Sequence, residues 1–83
     1  MITYRVTELH QMGFCFDFCM TSENCLFCVQ DNRTYKKEQL SIELVDQGYD
    51  QLKGYFQYIH KVETDSGEKG ILMLQTIYFN PVT

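Results

Sequence analysis

Residues 13–29, GFCFDFCMTSENCLFCV, hold all four cysteines of the 83-residue chain, and the way this stretch is read decides the fold. Cys15, Cys19, Cys25 and Cys28 follow the pattern C-x3-C-x5-C-x2-C. Thiols used only as small core groups have no reason to gather in one segment, so the clustering points to a shared role. Four thiolates fill the tetrahedral shell of zinc at about 2.3 Å each and close it to water, which makes a structural four-cysteine zinc site the first expectation. His10 is a candidate further ligand, although a lone histidine beside a turn is more ordinarily just exposed.

The same residues support a second reading. Phe14, Phe16 and Phe18 alternate with Cys15, Asp17 and Cys19, the period of a strand with a buried aromatic face. On one strand Cys15 and Cys19 lie about 13 Å apart, at roughly 3.3 Å per residue, too far to share an ion. The short middle spacing also excludes the usual zinc-ribbon geometry. Read this way, the segment is a hairpin: a strand over 14–20, a polar turn over 21–24 and a strand over 25–30. Cys19 and Cys25 then flank the tip, and the thiols are inert packing groups. A metal-held knuckle and a plain hairpin both stay open here.

Outward from this segment, Ile2, Tyr4 and Val6 alternate with Thr3, Arg5 and Thr7, which predicts a strand. Residues 10–13 turn the chain, since Gly13 tolerates a positive φ. Residues 31–34 read as a polar loop. Over 35–60 two periods compete: Leu40, Ile42 and Leu44 alternate like a strand, whereas Ile42, Val45, Tyr49, Leu52, Phe56 and Ile59 fall on one helical stripe. The stripe, with Ser41 as N-cap, predicts a helix within 41–58. Around Asp65-Ser66-Gly67-Glu68-Lys69-Gly70 the pattern predicts a hairpin over 59–79, ended by Asn80-Pro81. The sum is a single small α+β domain over 1–83: an antiparallel sheet of hairpins with one helix and a Cys-rich N-terminal hairpin or knuckle.

Hydrophobic content of 45% and aromatic content of 14% describe a folded chain, but one whose core is marginal at this length, where a metal would help. The net charge of -4 disfavours nucleic acid and anionic membranes as partners. Arg33, Lys36 and Lys37 around Tyr35 form the one basic cluster, read as a solvated loop. The N-terminus lacks a basic region followed by an apolar run, and the longest apolar run, 71–74, is too short to span a bilayer. The expected location is the cytoplasm, with reduced cysteines.

Catalytic patterns are missing from the sequence. Gly67-Glu68-Lys69-Gly70 lacks the spacing of a phosphate loop, Ser22, Ser41 and Ser66 have no glycine-flanked elbow, and His10 and His60 have no local acidic partner. Cys25-Leu26-Phe27-Cys28 is a CxxC without the βαβ framework that a thioredoxin-like site needs. The expectation is a small cytosolic, non-enzymatic module that binds another protein, with zinc as a structural staple. Tyr49, Tyr55, Tyr58 and Tyr78 exceed what so small a core can bury, and aromatics are enriched at interfaces. The alternatives are a nucleic-acid-binding zinc knuckle and a CxxC thiol oxidoreductase. A minor variant has Glu43, Asp46 and Asp50 forming a phosphate-like acidic surface.

Overall fold

The computed structural model describes residues 2–22 and 24–78, and these form one helix and one six-stranded sheet. In chain order the elements are α1 (Ile2–Gln11), β1 (Phe16–Ser22), β2 (Cys25–Cys28), β3 (Arg33–Lys36), β4 (Leu40–Asp50), β5 (Tyr55–Thr64) and β6 (Lys69–Leu74). A single 3-10 turn, Lys37–Gln39, joins β3 to β4. The α+β class agrees with the sequence. The sheet does not agree in full, because it is mixed: β1 and β6 run parallel, and the other neighbours are antiparallel.

The first ten residues correct the expected strand. On a helix Val6 and Leu9 share a face, Arg5 and Glu8 form an i,i+3 ion pair at 2.6 Å, and Tyr4 is left exposed. Alternation over so few residues fits either period, and packing against the sheet decides it. The helix ends where Gly13 takes φ 97°. There the Gly13 N–H donates to the His10 carbonyl and the Phe14 N–H to the Leu9 carbonyl, the paired bonds of a Schellman cap. The apolar contact that accompanies this cap is present too, since Leu9 and Phe14 pack in one buried cluster.

The expected helix within 41–58 is also corrected: these residues form β4, the turn after it and the start of β5. Leu40 and Ile42 join one core as an alternating strand should, and a register shift between Leu44 and Asp46 then inserts an extra residue. That bulge turns Val45 toward the other core, beneath α1. The step of three from Ile42 to Val45 that looks helical is therefore a change of face within a strand. Residues 33–36, partly assigned to a loop, are strand β3. The hairpin expected over 59–79 is present as β5 and β6, but its second strand ends at Leu74 and residues 75–78 leave the sheet; the hairpin around the cysteines is present as β1 and β2. The expected stop at Asn80-Pro81 lies outside the described residues, as does Glu23 of the first turn.

The strand order is β3-β2-β1-β6-β5-β4, which puts β3 and β4 at opposite edges although only Lys37–Gln39 separate them in sequence. A flat sheet cannot satisfy that connection, so the sheet coils until its two edges approach at this end. The inner face of the coil is the larger core: Phe18, Leu26, Cys28, Tyr35, Leu40, Val62 and Leu72. On the outer face Leu9 of α1, with Phe14 just beyond the helix, covers Ile59 and Ile71. Fully burying an aliphatic side chain contributes about 1.5–3 kcal/mol, so both layers matter in a chain of this length. Among the described residues no helix is long and apolar enough to cross a membrane.

Candidate functional site

Strand alternation settles where each cysteine points. Phe18 pairs with Cys28 and Met20 with Leu26, all on the inner face, whereas Cys19 pairs with Phe27 on the outer one. Cys25, two residues before Phe27, shares the outer face. Cys28, three residues after Cys25, must face the opposite way. Cys28 is fully buried, Cys25 half-buried, and Cys15 and Cys19 exposed. The Cys15 thiol lies 3.5 Å from the His10 carbonyl and the Cys19 thiol 3.8 Å from the Phe27 carbonyl.

As folded here, then, the four thiols do not converge as one donor set. Among the described residues no group of three or more His, Cys, Asp or Glu side chains is placed to share a metal ion. His10 is exposed at the end of α1 and meets the cluster through its carbonyl, not its ring. Cys25 and Cys28 face apart across the sheet, an arrangement unlike that of a CxxC redox pair. Burial pushes the Cys28 thiol above its ordinary value, the reverse of what a nucleophile needs.

Away from the exposed thiols, the structure shows a polar network at one rim of the coil. Tyr35 is almost fully buried, and its hydroxyl donates to Asp31 Oδ2 at 2.7 Å, with Glu68 Oε1 a longer contact at 3.2 Å. Thr64 and Ser66 hydroxyls also donate to that Glu68 oxygen. The Asp31 bond raises the Tyr35 hydroxyl well above its ordinary range. Conversely, the Tyr35 bond lowers Asp31, and the Ser66 bond lowers Glu68. The Arg33 guanidinium stacks 5.1 Å from the Tyr35 ring centroid. This makes the ring part of the core, not a free platform for a base.

The acidic residues are divided among separate tasks. Glu43 pairs with Lys61 at 3.5 Å, Asp46 with Arg5 at 2.9 Å, and Asp50 accepts the Leu52 and Lys53 amides in the β4–β5 turn. An open groove of about 350 Å³ runs along Glu38, Gln39, Leu40, Ser41, Glu63, Thr64 and Asp65, with no nucleophile and base arranged together in it.

The apolar surface is gathered elsewhere. Tyr58 is the first β5 residue paired with β6, so Tyr55, Phe56 and Gln57 pair with β4 alone and the β4–β5 hairpin runs past the sheet as two strands. Its tip carries Leu52, 100% exposed, and the pair Tyr49 and Phe56, 53% and 51% exposed. Their rings meet edge to face with centroids 5.3 Å apart. Of the tyrosines expected at the surface, Tyr49 is exposed, and Tyr55, Tyr58 and Tyr78 are half-buried. Leu52 and Phe56 were hidden in sequence by the helical stripe; the signal that could have found them is Asp50-Gln51-Leu52-Lys53-Gly54, a turn between two aromatic runs. No family model, no curated protein and no solved structure matches this chain.

Proposed function

We propose that this chain is a non-enzymatic interaction module that binds another protein, and that the tip of the β4–β5 hairpin is its contact surface. The observation that carries this reading is the fully exposed Leu52 beside the half-exposed Tyr49–Phe56 pair on a segment projecting from the sheet. A leucine and two aromatics at a hairpin tip add nothing to the core and favour aggregation, so their place is better explained by a partner that covers them. The partner would offer an apolar slot for Leu52, with a rim able to receive the Tyr49 hydroxyl. The net charge of -4 favours a partner that is basic around that slot.

A photo-crosslinking amino acid placed at position 52 tests this in the cells that make the protein, with position 34 on outer-face β3 as control. Expected is a discrete adduct from position 52 that is lost on Phe56→Ser and outcompeted by the unmodified chain. Equal adducts from both positions, or an adduct indifferent to Phe56→Ser, would contradict the reading.

A further inference from the structure

His60 is fully buried on the inner face of the coiled sheet, and both of its ring nitrogens are engaged. The Tyr78 backbone N–H points at Nε2, 2.9 Å away, and a backbone N–H can only donate. Nε2 is therefore the unprotonated acceptor. Nδ1 carries the hydrogen and donates to the Leu72 carbonyl at 3.2 Å. Leu72 belongs to β6, opposite His60, whereas Tyr78 belongs to residues 75–78, which leave β6 and return across the inner face. One neutral imidazole thus pins this strap to the sheet.

We infer that His60 is a proton-operated latch: adding a proton at Nε2 sets an N–H against the Tyr78 N–H, breaks that bond and frees the strap 75–78 from the inner face. Among the described residues the Tyr78 amide has no second side-chain acceptor, so release is the response to protonation. Among the described residues no carboxylate pairs with the His60 ring; the Leu72 and Tyr58 carbonyls can accept its hydrogens but carry no compensating charge. Leu44 faces it from β4 and Leu72 from β6. Among the described residues, the titratable groups that strand alternation places on the inner face are Tyr58 on its own strand, Tyr49 on β4, Cys28 on β2, and Tyr35 and Arg33 on β3. Asp31 and Glu68, the carboxylates that meet the inner face, are engaged at Tyr35. Glu68 lies beyond Thr64, about 13 Å along β5 from His60 at roughly 3.3 Å per residue.

Burial holds the His60 ring below its ordinary value of 6.5, outweighing the upward pull of the Leu72 and Tyr58 carbonyls. The sign follows. With the closed-state value depressed, the latch is at full strength above 6.5 and weakens as pH falls from there through the closed-state value. Release bares His60 on the inner face.

Amide exchange and imidazole NMR on the full chain test the latch, with each exchange rate divided by that of an unstructured peptide at the same pH. At pH 7.5 the His60 ring should show hydrogen on Nδ1 and the Tyr78 amide should be protected. As pH is lowered until the ring is protonated, Tyr78 protection should fall about tenfold per unit below the ring's midpoint, while β5 and β6 amides stay protected. His60→Gln, which keeps a neutral acceptor, should leave Tyr78 protection flat over the same range; if that variant does not fold, the wild-type ring and amide titrations decide. Tyr78 protection that persists with a protonated ring, or that is lost together with the β5 and β6 amides, would overturn the inference.

Discussion

At the scale of single residues, the cysteines separate into three that the outer surface receives and one that the core receives. Cys15→Ser and Cys19→Ser should each change unfolding free energy by less than about 0.5 kcal/mol, as exposed substitutions do. Cys28→Ser, which puts a shorter, more polar hydroxyl in a fully buried site where the thiol reaches Gln30 Oε1 only at 4.0 Å, should cost about 1–3 kcal/mol. Urea denaturation of the single variants checks this, and equal, large losses for all four would instead indicate one shared metal site. Tyr35 gives a second test. Because Asp31 and Glu68 are held below their ordinary values of 3.8 and 4.5, their contribution is present above those values and is lost as pH falls through the folded ones. Tyr35→Phe should lower stability at neutral pH and flatten its decline below pH 4.5, measured by thermal melts across the acid range. None of this network was legible in the sequence, because Tyr35 sits in a basic tetrapeptide and its acceptors come from two turns far apart in the chain.

At the scale of elements, the readings that succeeded rest on local pairs and those that failed rest on packing. The two hairpins were legible because each has alternation on both sides of a polar turn. The β4 bulge was not, since an extra residue at Val45 turns a period of two into steps that imitate a helix. Nor was α1, whose ten residues favour a helix once Val6 and Leu9 have a sheet to cover. The parallel contact between β1 and β6 left one sequence mark, Gly70. It pairs with Phe16 and lies under the Phe18 ring, where an added Cβ would come within 2.5 and 2.7 Å of ring carbons and closer still to the Phe16 carbonyl oxygen. Gly70→Ala must push β1 from β6 or drive Phe18 out of the core. The expected loss is about 1–3 kcal/mol or more by chemical denaturation, and a neutral result would show that the strands do not approach this closely.

At the scale of the whole molecule, two leucines test the division between core and surface. Leu72 is fully buried at the centre of the coil and Leu52 is fully exposed at the hairpin tip. Leu72→Ala should cost about 2–5 kcal/mol, and Leu52→Asp should leave stability within about 0.5 kcal/mol while raising solubility, both measured by urea titration. The functional reading depends on this division, and the division depends on six strands forming one coiled sheet with the β4–β5 tip outside it. The link that unites them is the parallel pairing of Phe16, Asp17 and Phe18 with Gly70, Ile71 and Leu72, the widest separation in sequence within the sheet and the one no local pattern announced. Nuclear Overhauser contacts between the β1 and β6 backbones test it most directly. Parallel-type contacts should link residues 16–18 with 70–72; their absence, with β1–β2–β3 and β4–β5–β6 each intact but unconnected, would show that the six strands do not form one sheet.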